Sequence, residues 1–304
     1  MAKKSYLDFR PLASASLLRQ SYEDFILSRA AMRCTDLTME WYSHTAGAFV
    51  AWLELKEVVT PKEIDVRLVR MYLNELNEQG RKDNTVNGHA RAIRTFVHFL
   101  FDEHYVDVLV KFKMPKVEGR RQPDLSAAQV ETLLKVASKR DKALVALMVD
   151  TGLRRSEVIA LNWGDLDFSS GVLQVVRGKG GKARTAVIGP TTRRALLAYF
   201  HTLEDKKPTS PMFQTQEGER FSGEGFLMLW RRLSRRSGIH VSPHMLRRTF
   251  AILALRSGMS VLHLQALMGH SSLEMVRRYA QLIDDDLIDA HKTASPMENL
   301  SRLK

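Results

Sequence analysis

One stretch breaks an otherwise helical pattern. Val172-Leu-Gln-Val-Val176 and Ala183-Arg-Thr-Ala-Val-Ile188 are β-branched runs flanking Arg177-Gly-Lys-Gly-Gly-Lys182. Such a pair reads as a β-hairpin with a glycine-rich turn. The first third of the chain has helical spacing. Leu18, Tyr22, Phe25 and Ile26 recur on one face, as do Tyr42, Ala46, Phe49, Val50 and Leu53, then Val86, Ala90, Ile93, Val97 and Leu100. Thr60-Pro61-Lys62-Glu63 has the composition of a helix start, with an N-cap Thr, Pro at the first helical position and Glu at the third. Four helices without strand signals predict a bundle over residues 16–106, preceded by an extension at 1–15.

Residues 107–124 change character. Lys111, Lys113 and Lys116 run into Glu118-Gly-Arg120-Arg121-Gln-Pro123, a Pro-, Gly- and base-rich stretch that suits a linker. Ser126 with Gln129 then forms a capping-box pattern that opens a second domain over 125–304. Helices are expected at about 190–203, 223–236, 243–257, 260–268 and 272–282. The chain is therefore expected to be mainly α with a small β-sheet, in two domains.

Charge narrows the function. Residues 1–122 hold 19 Lys and Arg against 16 Asp and Glu, and the remainder 27 against 18. The net charge of +12 suits a polyanionic partner. The lone Cys34 excludes an internal disulfide and a Cys-rich metal site. With no apolar leader at Met1-Ala-Lys-Lys and no run long enough to cross a membrane, a cytoplasmic protein without a membrane partner is expected.

The second half carries the chemistry. Arg154, in Thr151-Gly152-Leu153-Arg154-Arg155-Ser156-Glu157, is expected at a turn ahead of a helix bearing Glu157. There it can present a planar fork to two phosphate oxygens, and Glu157 can hold that guanidinium or a neighbour in place. The hairpin turn supplies Arg177, Lys179, Lys182 and Arg184, without the spacing of a P-loop. His244 and Arg247 follow Ser242-Pro243, so they share a face of a helix's first turn, where a phosphate is favoured. His270 follows Met268-Gly269, and Tyr279 comes nine residues later. Taken singly, each has a plain reading: a surface ion pair, a solvated basic turn, a helix cap, a core aromatic. Together they are two arginines, a lysine, two histidines and a phenol in one order, suited to work on a phosphodiester.

This set resembles the tyrosine recombinases, the phage-integrase and Xer family. The resemblance covers about 124–282 with specific motifs, and the first third only as a helical domain of the right size. It implies a SAM-like core-binding domain and a mixed α/β catalytic domain that together clamp double-stranded DNA. Tyr279 would attack the phosphodiester and form a 3′-phosphotyrosyl link. Arg154 and Arg247 would bind the non-bridging oxygens, Lys179 would be the general acid and His244 would take the tyrosine proton. His270 would hydrogen-bond the phosphate, with Glu157 in support. The resemblance also implies four protomers on two DNA sites, with or without a partner recombinase, and no metal or other cofactor. Further DNA contacts are expected from Lys111, Lys113, Lys116, Arg120, Arg121, Arg177, Lys182 and Arg184. Two positions depart from the family pattern: Arg248 stands where His is common, and Val276 where Thr is common. They bear on the subfamily, Xer-like or a compact integrase of a mobile element, more than on the chemistry. A type IB topoisomerase and a DNA-binding regulator that has lost catalysis are the alternatives.

Overall fold

A computed structural model describes residues 16–117, 123–175, 184–269 and 295. The chain divides into two compact units, Met1–Arg121 and Gln122–Lys304.

The first unit is helical. Its α-helices are α1 (Leu17–Ala31), α2 (Asp36–Tyr42), α3 (Ala48–Leu55), α4 (Val66–Glu78) and α5 (Asp83–Asp102). A π-helical turn, Ser43–Gly47, joins α2 to α3 without a break, so five helices make the four rods expected from periodicity. Gly47 lies in that turn because Tyr22 of α1 crosses there; a Cβ at 47 would come within 2.6 Å of the Tyr22 hydroxyl. The apolar faces meet in one core built on Phe25, Phe49, Phe96 and Ile93.

Two expectations change here. Thr60 opens only a single 3-10 turn, Pro61–Glu63, although the Glu63 carboxylate does accept the Thr60 N–H at 2.7 Å. Ile64 turns extended and is buried, which ends the turn, and Asp65 is the residue that caps α4, through Leu68 N–H at 2.8 Å. Residues 109–114 are also not a loose tether. Leu109, Val110, Phe112 and Met114 pack on the first core, and Arg94 and Asn87 of α5 donate to the Phe112 and Pro115 carbonyls at 3.0 Å each. Lys111, Lys113 and Lys116 stay exposed.

The second unit begins with α6 (Ala127–Val136), whose capping box forms from Ser126 and Gln129. At its centre runs α7 (Lys139–Thr151), with Ala143, Leu144, Val145, Leu147 and Met148 fully buried. A helix surrounded by core is apolar on most sides, which explains the dense apolar run there. Helix α8 (Arg155–Ala160) and a 3-10 turn at Trp163–Asp165 lead to the sheet. The sheet has three antiparallel strands in the order β1 (Leu166–Asp167), β2 (Val172–Val175), β3 (Arg184–Val187). The hairpin pairs Val172 with Val187 and Val175 with Arg184; β1, two residues long, adds a strand that periodicity does not reveal. Then follow α9 (Pro190–Phe200), α10 (Gly223–Ser237), α11 (Pro243–Arg256) and α12 (Val261–Met268). The expected helix at 272–282 lies outside the described residues. No helix among them is long and apolar enough to cross a membrane.

Candidate active site

The end of α7 sets the site's geometry. Gly152 takes the left-handed conformation, φ 59°, that lets the helix stop and the chain turn. Arg154 follows as the extended N-cap of α8. Its backbone N–H donates to Glu157 Oε2 at 2.7 Å, and its Nη1 donates to Glu157 Oε1 at 2.9 Å. The side chain of Arg154 keeps 28% of its area exposed, while that of Glu157 keeps 1%.

Arg247, one turn into α11, is buried. It donates to the Gly152 carbonyl through Nη1 and to the Met268 carbonyl through Nη2, the latter at 2.8 Å. Arg154 Nη2 reaches the adjacent carbonyl, Gly269, at 3.3 Å. Arg184 Nη1 donates to the carbonyl before them, Leu267. Three guanidiniums thus gather on three successive carbonyls at the C-terminal end of α12. That end of a helix carries partial negative charge and unpaired oxygens, so cations are favoured there. Gly269, left-handed at φ 61°, closes the helix against this cluster; a Cβ there would lie 2.9 Å from Arg184 Cδ.

Arg184 departs from expectation. The sequence groups it with the DNA-facing bases of the hairpin turn, but its side chain is only 11% exposed and is paired with Glu157 Oε2 at 2.9 Å. Strand alternation explains the direction: Arg184 shares the inward face of β3 with buried Ala186, whereas Thr185 and Val187 face out.

Burial pushes the Glu157 carboxyl up, but the hydrogen bonds from Arg184 and from the Arg154 N–H, with the charge of Arg184 and the Arg154 side chain, outweigh it. The carboxyl lies below its ordinary range and is ionised at neutral pH. Removing one partner from a buried pair of this kind costs about 3–5 kcal/mol.

His244 stands in the first turn of α11, behind Ser242, whose hydroxyl accepts the Met245 N–H, and Pro243 at the first helical position. Partial desolvation, then the charges of Arg248, Arg247 and Arg155, hold its imidazole below the usual value of 6.5. At neutral pH it is an uncharged base beside a group of cations. Lys179, Arg177, Lys182, His270, Tyr279, Arg120 and Arg121 lie outside the described residues.

The sequence reading missed the internal role of Arg184 and the part played by the α12 carbonyls. The first had a signal, since Arg184 alternates in phase with Ala186. The carbonyls had none, because a backbone acceptor leaves no mark on residue identity.

The chain belongs to the phage integrase family of tyrosine recombinases: that family's profile matches residues 123–285, more than half of the chain. Among curated relatives, it is 29% identical over 297 residues to tyrosine recombinase XerD of Oceanobacillus iheyensis, covering 92% of this chain and 99% of that protein. It is 31% identical to tyrosine recombinase XerC of Chlamydia pneumoniae, over 75% of this chain and 77% of that one. Among solved structures, the Tn1549 transposon integrase in complex with circular intermediate DNA shares the fold, with a TM-score of 0.71 at 19% identity over 88% of this chain and 95% of that one.

Proposed function

We propose that this chain cleaves and rejoins double-stranded DNA at specific sites through a 3′-phosphotyrosyl link to Tyr279. The observation that carries the reading is the convergence of Arg154 and Arg247 on adjacent carbonyls of one helix end, with His244 at the start of the helix that holds Arg247. Two guanidiniums brought this close can share the two non-bridging oxygens of one phosphate and stabilise the charge that builds there in the transition state.

The steps follow from acid–base chemistry. A phenol with an ordinary pKa near 10 is a weak nucleophile at neutral pH. His244, held neutral, accepts the Tyr279 proton as the phenolic oxygen attacks phosphorus. The bond from phosphorus to the 5′-oxygen breaks, and Lys179 supplies the proton that makes the leaving group a 5′-hydroxyl. His270 donates a hydrogen bond to the phosphate. One phosphodiester is exchanged for another, so the reverse attack by a 5′-hydroxyl restores the DNA without an external energy source. Glu157 supports Arg154. Family membership and net charge favour DNA as the partner, with the first unit as a core-binding domain and Lys111, Lys113 and Lys116, with Arg120, Arg121, Arg177 and Lys182, on the backbone. Four protomers on two sites form the working assembly.

The test is a covalent trap. Nicked duplexes of randomised sequence, incubated with the protein and resolved under denaturing conditions, should yield a protein–DNA adduct whose recovered DNA converges on one site. Tyr279→Phe, which removes only the hydroxyl, should bind that DNA and form no adduct. An adduct from the Phe variant would remove Tyr279 from the role. Relaxation of supercoiled plasmid without sequence preference would favour a topoisomerase instead.

A further inference from the structure

Arg184 joins three pieces of the second unit. It is the first residue of β3, paired in register with Val175 at the end of β2. Its Nη2 donates to Glu157 Oε2 on α8, and its Nη1 donates to the Leu267 carbonyl at the end of α12. These partners lie 27 and 83 residues away in the chain.

The carboxylate of Glu157 is divided between two arginines. Oε1 takes Arg154 Nη1, and Oε2 takes Arg184 Nη2 and the Arg154 backbone N–H. A buried carboxylate facing a single guanidinium favours the two-bond, fork-to-fork arrangement. With Oε2 already filled, Arg154 engages Glu157 through Nη1 alone and turns Nη2 toward Gly269, at 3.3 Å. That distance is at the long end of a hydrogen bond, so Nη2 is the edge of Arg154 most readily given to a better acceptor. Gly269 keeps the arrangement close-packed, because any Cβ there would press on Arg184.

We infer that Arg184 is a positioning residue for DNA cleavage: by occupying Glu157 Oε2 and the Leu267 carbonyl, it prevents Glu157 from capturing the whole Arg154 fork and so fixes the edge that Arg154 presents to the phosphate. The inference rests on the reading of Arg154 as a phosphate ligand. Arg184 itself touches no DNA. Its effect is therefore on the rate of cleavage once DNA is bound, and it passes through Glu157.

The experiment uses the full-length protein and the nicked duplex that the wild-type chain selects from the randomised pool. Single-turnover cleavage, gel-shift affinity and thermal unfolding are measured for Arg184→Gln, Arg184→Lys, Glu157→Gln and the double variant Arg184→Gln/Glu157→Gln. Arg184→Gln should cleave on the order of 10–100-fold more slowly with affinity little changed, by analogy with losing a residue that orients a metal ligand. In the Glu157→Gln background the same substitution should add little, because the two act as one unit. Arg184→Lys keeps a charge opposite Glu157, which protects the fold, but a single ammonium cannot reproduce the fork, so its rate should fall between the two. A duplex with sulfur at the 5′-bridging position should leave the Arg184→Gln defect in place, since the fault lies at the non-bridging oxygens. Wild-type rates in both Arg184 variants, or losses that multiply in the double variant, would overturn the inference while leaving the recombinase reading intact. Rescue by sulfur would overturn it too, by moving the defect to proton donation. Absence of any adduct from the wild-type chain would overturn the recombinase reading, and this inference with it.

Discussion

Replacing Gly152 with alanine should destabilise the second unit and disturb Arg247 at the same time. The backbone at 152 is left-handed, φ 59° and ψ 27°, which costs an L-residue about 1–2 kcal/mol. The new methyl would also have no room. A Cβ at 152 would stand 2.3 Å from Phe250 Cδ1 and 3.0 Å from Cε1, and the Phe250 ring is buried. Overpacking of this kind typically adds about 1–3 kcal/mol. The two terms together give roughly 2–5 kcal/mol.

Phe250 lies three residues beyond Arg247 on α11, and Arg247 donates to the Gly152 carbonyl. Relief of the clash therefore moves the helix turn that carries a proposed phosphate ligand. Native-state hydrogen exchange, read separately over α7 and α11, measures the loss where it arises. Two companion variants separate its causes. Asparagine tolerates the left-handed conformation, so Gly152→Asn should recover the backbone term, while its longer side chain deepens the clash with Phe250. Gly152→Ala/Phe250→Leu should recover part of the packing term. Protection in Gly152→Ala within about 0.5 kcal/mol of wild type, the range of an ordinary surface change, would refute the reasoning.

Two further outcomes follow from the charges. In the proposed reaction cleavage needs neutral His244, whose pKa is held below the usual 6.5, so the acid limb of the rate profile should fall below that pH; Arg248→Gln removes a repelling cation, raises the pKa and should slow cleavage at pH 6 while sparing it at pH 8. An unmoved limb would take His244 out of the proton transfer. Replacing exposed Lys111, Lys113 and Lys116 with Gln should lower the slope of log affinity against log salt by about 0.9 for each phosphate no longer neutralised, without unfolding the segment, because Phe112 and Met114 still anchor it; an unchanged slope would place these lysines off the DNA.

Local rules wrote much of the fold into the sequence. Ser126 and Gln129 mark a helix start because their side chains bond backbone groups three residues away, and they do so at 2.9 and 3.2 Å. The apolar stripe from Val86 to Leu100 becomes the buried face of α5 for the same reason of short range. Thr60 shows the limit of local signals. Its capping box forms, yet burial of Ile64 pulls the chain out of the helix after one turn, and that burial depends on the rest of the core.

The linker stretch is a similar case. Residues 111–116 carry three lysines, but the alternation of Lys111, Phe112, Lys113 and Met114 lets one side pack while the other stays in water. Composition averages that alternation away. The site is harder still, because its decisive contacts span the chain. Arg154 meets Gly269 across 115 residues and Arg247 meets Gly152 across 95. Residue types alone nominate the arginines; they do not say which guanidinium faces a phosphate and which serves the protein. Between Arg154 and Arg184, which share Glu157, the distinction comes from burial and from the acceptor on which each one ends. Arg184 has Glu157 and a carbonyl and is nearly enclosed, so it belongs to the scaffold. Arg154 shares the same carboxylate, keeps more than a quarter of its side chain in solvent and ends on a long contact, so it is the one poised to exchange partners.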